Sequence, residues 1–338
     1  SFVYRSGGQG MTGTAAPIID IRDLTVTFIG GRKPVHAVNG VTLAIQPAEV
    51  LALLGESGSG KSVTLRSLLG LHPPGRTSIG GSIQVAGKDV MALSGRALAD
   101  FRGKTVSMIF QEPLLALDPV YTVGAQIAET IQRHEAVSRV KARARALALL
   151  QKVRIPSPER RLDAFPHEMS GGMRQRAMIA LALACNPQIL LADEPTTALD
   201  ATVQIQILLL LRELQRELGL TVILVTHDIG VAVEVADRVA VMYAGRIVET
   251  GPVREIIRNP RHPYTQGLLA SRAHGAMTGS RLDAIPGSPP DLADLPPGCS
   301  FAPRCKHAKA TCVETAPEIR SVTADHWMRC MLDAEAAE

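Results

Sequence analysis

Two glycine turns far apart in the chain carry the residue types that bind phosphate. The first, Gly55-Glu56-Ser57-Gly58-Ser59-Gly60-Lys61-Ser62, follows the apolar run Val50-Leu51-Ala52-Leu53-Leu54 and precedes a helical pattern over 63–71. In a strand, loop, helix setting, such glycines let successive backbone N–H groups curl around the β- and γ-phosphates at the positive end of the helix dipole. Lys61 adds a full charge, Ser62 offers a hydroxyl to Mg²⁺, and Val63 begins the apolar face of the helix. The second turn, Ser170-Gly171-Gly172-Met173, opens a buried helix over 174–184. One nucleotide does not need both loops from a single chain, so the second is expected to serve a nucleotide held by another subunit.

Between and beyond these loops lie groups suited to hydrolysis. Gln188-Ile189-Leu190-Leu191-Ala192-Asp193-Glu194-Pro195 reads as a buried strand ending in two carboxylates. Asp193 is expected to hold Mg²⁺, and Glu194 to polarise a water in line with the γ-phosphate. A plain strand end and turn would also fit Asp-Glu-Pro, but adjacent carboxylates at a buried strand end are costly unless a cation compensates them. His227 ends the apolar run 220–226, and Gln111 ends the run 106–110. A parallel α/β sheet gathers the carboxyl ends of its strands on one edge. There His227 faces the phosphate with Lys61 and Glu194, and the Gln111 amide reaches Mg²⁺ or the attacking water. Taken alone, a histidine at a strand end is more often a structural residue.

In order, residues 55–62, Gln111, 170–173, Asp193-Glu194, Thr197-Ala198-Leu199-Asp200 and His227 resemble the Walker A, Q-loop, signature, Walker B, D-loop and H-loop of an ABC transporter ATPase subunit. The resemblance covers about 18–263. It implies an α/β P-loop NTPase fold, an ABC-type nucleotide-binding domain with a mixed sheet core and a helical subdomain at about 112–170. It also implies ATP and Mg²⁺ as ligands, and a composite site in which Ser170 and Gly172 contact the partner's γ-phosphate. The family's signature glutamine is Met173 here; a thioether is a weak acceptor and donates nothing, so hydrolysis is expected to rest on the backbone donors. Phe28, after the alternating strand 19–27, resembles the aromatic residue that stacks on adenine and is expected to do so here, with a core phenylalanine as the alternative.

Composition is compatible with this. The 338 residues suggest two domains, and 46% hydrophobic content supplies a core. Aromatic content of 3% leaves few rings for stacking nucleic-acid bases, and the net charge of +4 is modest. The basic run Arg139-Val140-Lys141-Ala142-Arg143-Ala144-Arg145 reads as the solvated face of a helix whose apolar side carries Leu147, Leu149 and Leu150. No stretch approaches eighteen apolar residues, and no signal peptide is visible. Residues 1–17 read as an N-terminal extension or expression remnant.

A second, small domain is expected over 264–338. Its start is rich in proline, at 285–290 and 295–298, and four of the chain's five cysteines follow: Cys299, Cys305, Cys312 and Cys330. Cys185 reads as a core residue on a buried helix. Clustered thiols beside a cytosolic ATPase point to metal rather than disulfides. The intervals of 5, 6 and 17 residues lack a Cys-x-x-Cys pair and leave zinc, iron–sulfur and free thiols open, with His307 and His326 as additional zinc ligands. The stretch 298–305, with Pro317 and 326–330, resembles the C-terminal extension of oligopeptide/dipeptide-type importer ATPases, some of which bind a [4Fe–4S] cluster. The resemblance thus implies iron–sulfur, with Zn²⁺ as the alternative, and a cluster segment separable from the ATP chemistry.

What the resemblance implies is a subunit on the cytoplasmic face of the inner membrane, peripheral to it. Its partners would be a second ATPase subunit, two membrane permeases and an extracytoplasmic substrate-binding protein, with no nucleic acid. A DNA-repair ATPase would interpose a coiled coil or zinc module between Lys61 and Ser170, where this chain leaves no room. A soluble ATPase with a redox-sensing metal domain remains the other class.

Overall fold

Alternation along the strands decides how the layers stack. The computed structural model describes residues 16–112, 116–197, 199–273 and 285–332. Strands β1 (Ile19–Phe28), β2 (Val35–Ile45), β4 (Thr77–Val85) and β5 (Lys88–Asp89) form an antiparallel sheet in the order β2-β1-β4-β5. A second sheet is built from β3 (Val50–Leu54), β6 (Val106–Ile109), β7 (Ile189–Asp193), β8 (Thr221–Thr226), β9 (Arg238–Tyr243), β10 (Arg246–Pro252), β11 (Arg320–Ser321) and β12 (Trp327–Met328). Its order is β11-β12-β10-β9-β3-β8-β7-β6.

Strand β3 is parallel to β8 and β9, and the parallel pairing continues through β7 to β6. Strand β10 runs antiparallel to β9 and β12. One face of this sheet, with Leu51, Leu53, Leu191, Ile223, Val225 and Met242, packs against the antiparallel sheet through Ile19, Ile21, Val26 and Val41. The opposite face, with Val50, Ala52, Leu54, Leu190, Val222 and Val241, packs against helices. Residues one apart in sequence therefore enter different cores, which is why these strands read as continuous apolar runs.

Helices Val123–His134, Arg139–Lys152, Pro158–Leu162 and Gly171–Ala182 lie between β6 and β7. Among the described residues no strand falls between 112 and 170. The long helices begin at N-caps: Thr122 accepts from Ala125 N–H and Ser138 from Lys141 N–H. In the Arg139–Lys152 helix the buried face is Ala142, Ala146 and Leu150, while Leu147 and Leu149 are only partly buried. Arg143 pairs with Asp163 at 2.7 Å, and Arg145 with Glu135, so part of the basic face is ion-paired.

Three expectations shift. The first helix runs Lys61–Leu68 rather than 63–71, because the chain turns at Gly70 with φ +60°. The signature helix starts at Gly171, since Ser170 is its N-cap. It ends at Ala182, which leaves Cys185 in the following turn, buried, with its thiol donating to Thr130 O at 3.8 Å.

The C-terminal part does not stand apart from the ATPase sheet. Thr250 and Glu249 of β10 pair with Trp327 and Met328 of β12, so the cysteine segment extends that sheet. Phe301 joins the helical-side core and packs edge-on against Tyr243, at 5.2 Å between ring centroids. Glu249 and His326 are both buried and meet at 2.8 Å between Oε1 and Nε2. Residues 1–15 and Ala198 lie outside the described residues.

Candidate active site

The parallel pairing dictates which side chains meet. Strands β6, β7, β3 and β8 all run in the same direction, so Gln111, Asp193, the 55–62 loop and His227 leave the sheet at the same edge. A cleft there is lined by Ser57, Gly58, Ser59, Gly60, Lys61, Ser62, Val63, Gln111, Glu194 and His227, together with Ala37, Glu56 and Leu292.

The loop is built around its backbone. Gly55 has φ +155°, and a Cβ there would lie 2.2 Å from Met242 O, so only glycine lets the loop leave β3 this close to β9. Lys61 is buried and its Nζ donates to Gly55 O and Glu56 O, each at 2.8 Å. Burial pushes its pKa down, while Glu194, Asp193 and Glu56 pull it back up. A polyphosphate has two anchors here: this ammonium and the unpaired first N–H groups of the Lys61–Leu68 helix.

Ser62 Oγ donates to Asp193 Oδ1 at 2.9 Å. Asp193 is buried and its pKa is raised, chiefly by that burial, with the Ser62 bond opposing it. A hydroxyl and a carboxylate side by side are the hard oxygen donors that Mg²⁺ selects, so these residues fit the ion.

Glu194 is the focus of the site. Its φ of 45° is unusual for a residue with a side chain and holds the carboxylate away from the β7 direction. Its Oε2 accepts from Thr197 Oγ1 at 2.9 Å and Gln111 Nε2 at 3.3 Å, and lies 3.5 Å from His227 Nδ1. The sequence signal had placed Thr197 only in a loop following the strand; its hydroxyl in fact orients the candidate base.

The signature residues are elsewhere. Ser170 Oγ accepts from Met173 N–H at 3.3 Å, and residues 170–173 do not line this cleft. A Cβ on Gly172 would meet Val203 Cγ1 at 2.7 Å, so the turn packs against the helix Ala201–Leu218. Asp200 caps that helix by accepting from Val203 N–H at 3.0 Å. Met173 packs against the helical-side core, which explains a thioether at this place.

Phe28, expected to stack on adenine, packs beside the strand core, 6.1 Å edge-on from His72. The apolar residues lining the cleft are Ala37, Val63 and Leu292.

Cys299, Cys305, Cys312 and Cys330 surround one small apolar cavity with His262, His307 and Pro317. Burial first, then the neighbouring thiols, push the Cys330 thiol up. Among the described residues no group of three or more His, Cys, Asp or Glu side chains is placed to hold a metal ion. The sequence expectation of a metal centre is therefore met only by a convergence of thiols. His326, expected as a possible zinc ligand, is instead committed to Glu249. His262 is buried; its Nδ1 accepts from Tyr264 N–H at 3.1 Å, and its Nε2 has no partner among the described residues. Its pKa falls to about 4 by desolvation, so the ring is neutral with its proton on the unpartnered Nε2. The four thiols and this imidazole line the same cavity.

The cysteine segment also touches the nucleotide loop. Arg304, next to Cys305, reaches Glu56 of the loop with Nη1 at 2.6 Å and Nη2 at 3.0 Å.

Known proteins similar to this chain identify its family. Residues 38–197 match the family described as ABC transporter, and 248–312 match the oligopeptide/dipeptide transporter C-terminal region. A protein of Brucella melitensis named as a peptide import ATP-binding protein is 49% identical over 333 residues, covering 95% of this chain and 98% of its own. A similarly named protein of Brucella suis is 49% identical over 315 residues, covering 93% and 95%. Among solved structures, the dimeric ATP-binding cassette MJ0796 bound to ADP and phosphate superposes with a TM-score of 0.63 at 32% identity, over 70% of this chain and 99% of that one. The protein cbiO1 from Clostridium perfringens, part of an ABC transporter complex, gives 0.63 at 29% identity over 72% and 91%. The chain belongs to the ABC transporter ATP-binding proteins that carry the oligopeptide/dipeptide transporter C-terminal region.

Proposed function

We propose that this chain is the ATP-hydrolysing subunit of a peptide importer and works as a composite-site dimer at the cytoplasmic face of paired permeases. The observation that carries the hydrolytic part is Glu194, whose carboxylate is oriented by Gln111, Thr197 and His227 at the lip of the Lys61 cleft. Lys61 and the loop N–H groups hold the β- and γ-phosphates. Glu194 orients a water and takes its proton as the water attacks the γ-phosphorus and the bond to the β–γ bridging oxygen breaks, releasing ADP and phosphate, while His227 steadies the γ-phosphate. Ser62 and Asp193, with Gln111 nearby, would hold Mg²⁺, which when bound would supply charge neutralisation at the phosphate oxygens. Ser170 and the Gly171 and Gly172 N–H groups, outside their own cleft, serve the partner's nucleotide; Asp200 and Leu199 lie beside them at the same interface.

Docking to permeases is supported by an apolar surface next to Gln111. Phe110, preceding Gln111, is 41% exposed, and Val120 and Tyr121, just before the Val123–His134 helix, are 69% and 57% exposed. No helix among the described residues is long and apolar enough to cross a membrane, so transport requires permease subunits that do. An extracytoplasmic binding protein would deliver the peptide.

We further infer that Cys299, Cys305, Cys312 and Cys330 hold a [4Fe–4S] cluster, supported by their convergence on one cavity and by the unpartnered His262 Nε2. Such a cluster ties the segment 299–330 together when bound.

The test is ATPase activity of the chain reconstituted with its neighbouring permeases in vesicles. Peptide-loaded binding protein should stimulate turnover and drive peptide inward. Turnover unchanged by peptide and binding protein, with no peptide accumulation, overturns the importer reading.

A further inference from the structure

The loop that binds phosphate carries an acid, Glu56, and that acid is claimed by the C-terminal segment. All five guanidinium N–H donors of Arg304 are used: two on Glu56, one on Tyr243 Oη at 3.3 Å, one on Pro286 O at 2.9 Å and one on Ile285 O at 3.3 Å. The Arg304 side chain is only 5% exposed, while Glu56 remains 28% exposed at the cleft. Glu56 N–H donates to Tyr264 Oη at 2.9 Å, and Glu56 O accepts from Lys61 Nζ. One residue of the loop is thus held at its N–H and its carboxylate by Tyr264 and Arg304, both beyond the nucleotide-binding core. A second contact lies across the cleft: His36 N–H donates to Leu292 O at 2.9 Å, which seats Leu292 in the cleft wall.

An uncompensated carboxylate at this position would face the polyphosphate, and like charges at such a distance in a partly buried cleft repel strongly. Arg304 cancels that charge and fixes the loop through a planar, bidentate contact that lysine does not reproduce. We propose that Arg304 is a positioning residue for ATP binding, and that the C-terminal segment completes the nucleotide site of its own subunit. The guanidinium touches neither ATP nor the reacting atoms; it acts through Glu56. Because Arg304 adjoins Cys305 and Phe301 packs on Tyr243 and Tyr264, disturbance of the cysteine cavity reaches the phosphate loop by a short, rigid route. The proposal rests on residues 55–62 being the ATP site.

The experiment is titration of the full-length chain with a fluorescent ATP analogue and Mg²⁺, for the wild type, Arg304→Met, Glu56→Gln and the double variant. Arg304→Met should lose about tenfold or more in affinity. Glu56→Gln in that background should restore affinity to within about threefold of Glu56→Gln alone, since it removes the stranded charge. Affinity of Arg304→Met within twofold of wild type, or a double variant no better than Arg304→Met, overturns the proposal. Should Arg304→Met not fold, the wild type still decides. Reciprocity requires ATP to slow protease cleavage within 285–332, and Glu56→Gln to diminish that protection. No protection by ATP in the wild type overturns the proposal equally. A wild type that binds no ATP at all would instead sink the ATP-site reading.

Discussion

Thr197 Oγ1 donates to Glu194 Oε2 at 2.9 Å, so the carboxylate that faces the cleft is aimed by a hydroxyl three residues further along the same turn. Gln111 approaches the same oxygen from β6. Glu194 Oε1 is not engaged by these groups and is left to orient a water. Glu194→Gln should keep ATP affinity and lose turnover by about 10²-fold or more in the assembled complex. Thr197→Val keeps the base and loses its orientation, so it should cost about tenfold in kcat with little change in KM. Turnover of Glu194→Gln within a few-fold of wild type would remove Glu194 from the role of base.

The split between the two anion sites predicts a split between binding and closure. Lys61 lines the cleft while Ser170 does not. Lys61→Ala should weaken nucleotide binding to the isolated chain. Ser170→Arg should leave that binding nearly intact and abolish hydrolysis in the complex, because the new side chain obstructs the partner's approach. Equal losses of affinity in both variants, read by nucleotide titration, would speak against a shared site.

How much of this was legible in the chain follows from sequence distance. The 55–62 loop, the 170–173 turn and Asp193-Glu194 are contiguous motifs beside continuous apolar strands, and their chemistry is local. The meeting of the 55–62 loop with Asp193-Glu194 at one edge follows from parallel pairing, which the apolar runs already signalled, while the 170–173 turn lies outside that cleft. Arg304 and Glu56 are 248 residues apart, and Glu249 and His326 are 77 apart. Nothing periodic marks such a pair. The proline-rich stretch at 285–298 read as a boundary, yet it lends Leu292 to the cleft and two carbonyls to Arg304. Phe28 lies where its place in the sequence put it, at the end of the first strand, and its ring packs beside His72 and the strand core.

The buried Glu249–His326 contact makes attachment of the C-terminal strands pH-sensitive. Burial alone would raise the Glu249 pKa, but the bonds from His326 and from the Arg261 and His262 N–H groups outweigh it and hold the carboxyl below its usual range. A group whose folded pKa is depressed contributes stability above its unfolded value, about 4.3 for glutamate, and that contribution is lost as pH falls through the lower folded value. Cleavage within 285–332 by an acid-tolerant protease should therefore rise below about pH 4. His326→Leu removes one donor from the buried carboxylate and leaves it the Arg261 and His262 N–H groups, so it should cost about 1–3 kcal/mol at neutral pH, read by urea denaturation. A variant as stable as wild type would mean that this contact does not anchor the strands.

The four thiols of the cysteine cavity give the last test. Cys299 N–H donates to Cys312 O at 2.7 Å, and Gly298 leaves no room for a Cβ, which would lie 2.2 Å from the same oxygen. The backbone is therefore drawn tight around the cavity before any group enters it. Chain purified without oxygen should carry iron and acid-labile sulfide at about four of each, the stoichiometry of a cubane with four thiolate ligands. Those four thiols should resist alkylation until the iron is removed, whereas Cys185, buried away from the cavity, should be equally slow in both states. Cys330→Ser should lose iron and loosen the 299–332 segment to protease. It should also weaken ATP binding measurably, because Phe301 and Arg304 connect that segment to Tyr243, Tyr264 and Glu56. An anaerobic preparation with one zinc and negligible iron would replace the cluster by a mononuclear site. Free, readily alkylated thiols with neither metal would leave the cavity a purely structural feature.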